Sequence, residues 1–323
     1  MPKTATPPTL RRATDLHSQC ATRVALSLIL LIAVQSAFAQ SRTPAAKALS
    51  PRVQEKIFHS KALNRDMHYT IVLPADYRNS QRRFPVLYLL HGWAGDYTNW
   101  VKLTKLVEYS RRYSIIIVTP DAQNSWYVNS ATVPGDRFED YIISDLIPEI
   151  DSHWRTLASP EHRSIAGLSM GGYGSILFGL KHPDLFTVVG SVSGAFDGPD
   201  GIEHVLPDVR ESTDRAYGPA ESATRIDNDV YSLIAKADEK TAPYLFLECG
   251  SQDPLLPSNR KFVKELSSKS VRYEYHEYPG AHSWEFWDHS LPMMLEVIAR
   301  RTDPGEKLRA NLFLYPPPLP ISR

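Results

Sequence analysis

The stretch "RSIAGLSMGGYG", residues 163–174, surrounds Ser169 with small residues, directly after an apolar run and directly before a helical segment. Within it, Gly167-Leu168-Ser169-Met170-Gly171 fits G-x-S-x-G in the strand–turn–helix setting that this motif needs. A chain reversing that sharply pushes the serine toward positive φ, so its neighbours must be too small to clash. The turn presents the hydroxyl at a helix N-terminus, where the free N–H of Met170 can donate to an oxyanion. An ordinary tight turn would carry the same five letters. A base and an orienting acid further along the chain would distinguish a nucleophile from such a turn, because serine alone is a poor nucleophile.

Both follow in workable order. In "YLFLECGSQDPLLP" an apolar strand ends at Cys249-Gly250 and Asp253 sits in the loop beyond it. Glu248 competes for the acid's role but lies within the strand and should point sideways into the sheet. Asp253 could equally start a turn or cap a helix, since Asp-Pro does both readily. In "YEYHEYPGAHSWEFWDH", His276 falls inside a strand and His289 inside the next helical segment. His282 follows Pro279-Gly280 in the loop past the last strand, where a base must be to reach Ser169. A second oxyanion donor is expected from "VLYLLHGWAGDYTNW", where Gly92 allows close backbone approach and the Trp93 N–H is the candidate. His91 is expected to order that loop. Trp126, Tyr127, Trp284 and Trp287 are candidate walls of a substrate pocket, with burial in the core as the alternative for each.

The elements that must position these groups alternate. Val53 to His59 and Met67 to Leu73 are expected as antiparallel entry strands, the second closed by Pro74. Phe84 to Leu90 and Ser114 to Thr119 are apolar on both faces, as central parallel strands are when helices cover each side. Trp100 to Arg112 and Phe138 to His153 carry apolar residues at helical spacing. Further strands are expected at Arg163 to Ala166, Thr187 to Ser191, Tyr244 to Glu248 and Val271 to Glu277. Strands interleaved with helices indicate an α/β domain, residues 53–301, with a mostly parallel central sheet flanked by helices on both faces. Residues 196–240 break the rhythm with Asp, Gly, Pro and Glu, and read as an insertion over the sheet. The tail 302–323, ending "LYPPPLPISR", is expected to be disordered.

The N-terminus reads as a secretory signal. Arg11, Arg12 and Arg23 precede an apolar run from Val24 to Val34, and Ala37-Phe38-Ala39 supplies a small-x-small cleavage site. Cleavage after Ala39 would send the protein outside the cytoplasm, to a secreted or periplasmic location, with 40–52 as a linker into the domain. The apolar run is shorter than the roughly 20 residues of a spanning helix, so no stable membrane insertion is expected after cleavage. Removing Lys3, Arg11, Arg12, Arg23 and Asp15 from 36 basic and 36 acidic residues leaves 32 and 35, a net charge of −3. That balance offers no basic footprint for nucleic acid. Cys20 leaves with the signal and Cys249 remains alone, so stability must come from a core rather than an internal disulfide. The sequence has no H-E-x-x-H, no G-x-G-x-x-G after the first strand and no phosphate-binding Gly-Lys-Ser/Thr, so neither a metal nor another cofactor is expected.

Taken together, "LLHGWAGDYTNW", "GLSMGGYG", "CGSQDPL" and "YPGAHSWEFW" resemble the esterase D-like branch of the α/β hydrolases. "SWYVNS" at 125–130 and "FEDYIISDLIPEID" at 138–151 resemble the same group. That branch includes tributyrin, feruloyl and acetylxylan esterases, S-formylglutathione hydrolases and secreted mycolyltransferases. The resemblance spans about residues 53–301 and implies the α/β-hydrolase fold. By position it implies Ser169 as nucleophile, Asp253 as acid and His282 as base, with the Met170 and Trp93 N–H groups as oxyanion hole. It implies a carboxylesterase acting on small-molecule or carbohydrate-linked esters, acetyl or feruloyl groups among them. Acyl transfer to a sugar or lipid hydroxyl, and thioester hydrolysis of the S-formylglutathione type, are the alternatives. S-formylglutathione hydrolases are usually cytosolic, which sets this chain's leader apart from them.

Overall fold

A computed structural model describes residues 50–302. The expected signal peptide 1–39, most of the linker 40–52 and the tail 302–323 beyond its first residue lie outside the described residues.

Alternation along the strands builds a sheet with two buried faces. In β3 (Val86–Leu90), Val86, Tyr88 and Leu90 enter one hydrophobic cluster, while Leu87 and Leu89 enter another on the opposite face. Side chains two apart share a face of a strand, so one apolar run feeds both cores. Each such side chain, fully buried, contributes roughly 1.5–3 kcal/mol. The same holds for β4 (Ile116–Pro120), β5 (Arg163–Leu168) and β6 (Val188–Val192), in which every residue is buried.

The other strands are β1 (Val53–Ser60), β2 (Arg65–Val72), β7 (Tyr244–Gly250) and β8 (Tyr273–Tyr278). The eight form one sheet in the order β1-β2-β4-β3-β5-β6-β7-β8. β1 and β2 pair antiparallel from Val53↔Val72 to Ser60↔Arg65, and β2 meets β4 antiparallel. From β4 to β8 every pairing is parallel. The C-terminal ends of β3, β5, β6, β7 and β8 therefore point the same way, and their following loops gather along one edge.

Helices cover both faces. On one side pack α1 (Ile147–His153), α2 (Met170–Lys181), α4 (Val230–Lys236) and α5 (Leu256–Ser267), with α3 (Arg210–Tyr217) further out. On the other, α6 (Trp284–Thr302) buries Leu291, Met294, Leu295 and Ile298.

One helical expectation needs correction, and a second holds with a change of helix type inside it. Residues 100–112 are not one helix: Asn99–Leu103 ends where Thr104 turns extended, and Leu106–Tyr109 and the 3-10 turn Ser110–Arg112 follow. The Thr104 hydroxyl closes onto the Trp100 carbonyl, and the Lys105 N–H leaves the helix for Asp288 at 2.6 Å. Residues 138–153 are helical throughout, but Tyr141–Leu146 is π-helical before α1 resumes normal spacing at its N-terminal proline, Pro148. Proline offers no N–H to the preceding turn, so the hydrogen-bond pattern is free to change there.

Candidate active site

Ser169 sits between β5 and α2 with φ 53° and ψ −119°, the strained turn expected of it. The two flanking glycines are required by space. A Cβ on Gly167 would lie 2.4 Å from the Gly171 carbonyl oxygen, and one on Gly171 would lie 2.5 Å from that of His91. Backbone bonds hold the turn from both sides: Ser169 N–H donates to Val192 O at 3.0 Å, and Ala195 N–H donates to Ser169 O at 3.1 Å. Gly172 brings α2 against β6, where its added Cβ would meet Ser191 Oγ at 2.7 Å. Gly174 makes room for the Tyr127 ring, 2.6 Å from an added Cβ.

The loops after β7 and β8 are fastened to each other. Ser251 N–H donates to Tyr278 O at 2.7 Å and Gln252 N–H to Gly280 O at 2.9 Å. Gly250 permits this, since a Cβ there would lie 2.3 Å from Gly280 O. Asp253 thereby meets His282: Nδ1 of the imidazole lies 2.9 Å from Oδ2 and 3.1 Å from Oδ1. Its Nε2 lies 3.0 Å from Ser169 Oγ. An ionised carboxylate only accepts, so Nδ1 carries the proton and Nε2 is left to accept from the serine hydroxyl. The Leu255 N–H also donates to Asp253 Oδ1 at 2.8 Å, which orients the carboxylate. The Asp253 side chain has no exposure, whereas that of His282 keeps 20%. Glu248 is inside β7, His276 is bonded to Glu274 within β8, and His289 is exposed on α6, so none of the three competitors reaches Ser169.

The loop after β3 completes the surround. Gly92 lies against the serine, its added Cβ 3.3 Å from Ser169 Cβ. Among the described residues, the N–H groups of Trp93 and Met170 donate to no protein acceptor. His91 orders this loop: Nδ1 lies 2.8 Å from Gly92 O and Nε2 accepts the Ala122 N–H at 3.0 Å. Burial pushes its pKa down, which keeps the imidazole neutral for both bonds.

A cavity of about 430 Å³ opens beside Ser169 and His282, walled by Trp93, Leu206, Val209, Trp284 and Trp287. The tryptophans of α6 therefore stand where a substrate wall was expected. Trp126 and Tyr127 do not. Trp126 is 1% exposed and packs against Tyr173, Tyr217 and the space left by Gly198, while Tyr127 is fully buried with its hydroxyl on His91 O at 2.9 Å. Both have positive φ, 56° and 60°, which turns their side chains into the core under α2.

One contributor, Ser193, has no motif behind it and acts through Trp287. Trp287 meets the His282 ring edge-on at 4.9 Å, and its Nε1–H donates to Ser193 Oγ at 3.2 Å. Ser193, at the end of β6, has φ 51° and donates its N–H to Glu248 O at 2.7 Å. The only trace of it in the sequence is a serine beside a glycine where an apolar strand ends.

Residues 60–298 match the model of the family described as "Putative esterase". An acetyl esterase of Caldicellulosiruptor saccharolyticus is 27% identical over 265 residues, covering 76% of this chain and 97% of that protein. An esterase of Mycobacterium tuberculosis is 28% identical over 256 residues, 72% of this chain and 56% of the relative, so the chain spans little more than half its length. Among solved structures, a fluorophosphonate-binding serine hydrolase of Staphylococcus aureus superposes with a TM-score of 0.69 at 26% identity, covering 76% of this chain and 98% of that one. The chain belongs to this esterase family, carboxylic ester hydrolases, and has the α/β-hydrolase fold.

Proposed function

We propose that the protein is an exported serine carboxylesterase in which Ser169 is the nucleophile, His282 the general base and Asp253 the residue that orients it. The observation carrying this reading is the continuous hydrogen-bonded chain Asp253–His282–Ser169, 2.9 and 3.0 Å per link, opening on the 430 Å³ cavity. His282 Nε2 takes the hydroxyl proton as Oγ attacks the ester carbonyl, and Asp253 stabilises the imidazolium that forms. The N–H groups of Trp93 and Met170 receive the oxyanion of the tetrahedral intermediate, each worth about 2.7–4 kcal/mol where such donors have been removed elsewhere. His282 then returns its proton to the leaving alcohol, and water, activated by the same imidazole, releases the acid.

The substrate class is a carboxylic ester of an acetyl or feruloyl group on a small-molecule or carbohydrate alcohol. The similarity to an acetyl esterase supports the first of these. The apolar walls Leu206, Val209, Trp284 and Trp287 suit acyl and aryl groups in general. Export rests on the leader, with maturation after Ala39 and a catalytic domain over 53–301 in which 196–240 is the insertion. Hydrolysis of p-nitrophenyl acetate by the purified mature protein tests the mechanism. Ser169→Ala should abolish it, and equal rates from variant and wild type would refute the assignment.

A further inference from the structure

Trp93 has two parts with separate tasks. It lines the cavity that holds Ser169 and His282 and is the oxyanion donor of the reading above, while its indole reaches segment 196–240. There Nε1–H donates to Ser212 Oγ on α3 at 3.1 Å. The same oxygen accepts the Nε1–H of Trp126 at 3.0 Å and donates its own proton to Val209 O at 2.7 Å. One hydroxyl has one proton and two lone pairs, so Ser212 Oγ is saturated. It ties a half-buried indole to one that cannot move, because Trp126 is held in the core by Tyr173 and Tyr217.

Trp93 lines two cavities. One is the 430 Å³ cavity holding Ser169 and His282. The other, about 360 Å³, is lined by Gln123, Ser125, Phe138, Glu211 and Arg215. Trp93 and Asp208 line both. Asp208 is exposed on its turn, so Trp93 is the half-buried side chain that the two cavities share.

We propose that Ser212 is a specificity-determining positioning residue: by fixing the Trp93 indole between the two cavities, it limits the length of acyl group that the catalytic cavity accepts. The inference rests on the serine-esterase reading above. In that mechanism His282 protonates the leaving oxygen, so the alcohol lies on its side, among Trp284 and Trp287. The oxyanion takes the direction of the Trp93 and Met170 amides. The acyl chain takes the remaining direction, past the Trp93 indole toward the second cavity. Release of the indole would join the cavities and roughly double the room for that chain.

The test compares kcat/KM for p-nitrophenyl octanoate and p-nitrophenyl acetate in wild type, Ser212→Ala, Trp93→Phe and the double variant. Trp93→Phe keeps the backbone N–H and an aromatic ring but deletes the donor to Ser212. The octanoate-to-acetate ratio should rise on the order of tenfold in each single variant, about the discrimination that one or two methylenes give in a closed pocket. The double variant should rise no further, since both changes remove the same bond. A parallel loss on both esters, with the ratio unchanged, would overturn the proposal and leave the esterase reading standing. Trp93→Phe alone carries the test if Ser212→Ala does not fold. Absence of Ser169-dependent hydrolysis in wild type would instead defeat the esterase reading and this inference with it.

Discussion

The sheet edge that carries Ser169, Asp253 and His282 and the segment 196–240, expected as an insertion, are held together by different means. At the edge, backbone groups and glycines set the positions. Ser169 is fastened to β6 through main-chain bonds, and the Asp253 and His282 loops are joined by N–H···O=C contacts with no room for a Cβ at Gly250. In the insertion, side chains do most of this. Ser212 receives two indoles, Arg215 pairs with Asp136 at 2.6 Å, Tyr231 donates to Asp197 at 2.7 Å, and Asp229 caps α4. The insertion also leaves Val205 and Ile226 exposed, at 42% and 62%.

The edge carries strain and a buried charge site that the insertion lacks. Ser169 and Ser193 both hold positive φ. Glu248 is 1% exposed, and its Oε2 has no partner among the described residues. Geometry fixed by the backbone keeps the reacting groups in register whatever the substrate, while geometry fixed by side chains can change one residue at a time. The chemistry and the substrate fit should therefore be separable by mutation.

The largest break in this contrast should come from Asp253→Asn. An amide at that position favours the wrong imidazole tautomer, and kcat should fall about 10⁴-fold, as tautomer errors in such triads do. Ester hydrolysis by the folded variant measures it; a loss of less than tenfold would mean Asp253 is not the orienting acid.

Glu248→Gln sharpens the contrast from the stability side. Burial pushes the Glu248 carboxyl up to about 7 in the folded protein, against 4.5 ordinarily. Between those values the folded state holds a proton that the unfolded state has released. Wild-type stability should thus fall as pH rises from about 4.5 to about 7 and level off above that, by a few kcal/mol for a shift of this size. Denaturant unfolding of Glu248→Gln should show that decline removed, with esterase activity retained. The same decline in the variant would contradict this account.

The smallest effect is expected from Asp229→Ala. Its carboxylate accepts the Tyr231 and Ser232 N–H groups, each at 3.1 Å. Losing the cap should cost about 1 kcal/mol of stability and leave p-nitrophenyl acetate hydrolysis within twofold, a result that a thermal melt and one rate measurement would check.

The sequence was informative wherever local backbone pattern decides the outcome. The glycines around Ser169, Asp253 beyond an apolar strand and His282 beyond the last one are local signals, and those strands run only one or two residues past the expected Ala166, Glu248 and Glu277, to Leu168, Gly250 and Tyr278. That the sheet is mostly parallel followed from the alternation of strands with helices. What long-range packing decides was not legible. Whether Trp126 and Tyr127 face a cavity or the core depends on the room left by Gly198 and Gly174, which lie 72 and 47 residues further along the chain. The break after Leu103 depends on Asp288, 183 residues beyond Lys105. The bond from Trp93 to Ser212 spans 119 residues, and no motif marks Ser212 at its far end.

The central claim is that Ser169 is the reacting nucleophile, and fluorophosphonate labelling read by intact mass and peptide mapping tests it most directly. Wild type should gain one adduct, on the peptide that contains Ser169, and Ser169→Ala should gain none. An adduct mapped to another residue, or labelling of Ser169→Ala equal to that of wild type, would contradict the account.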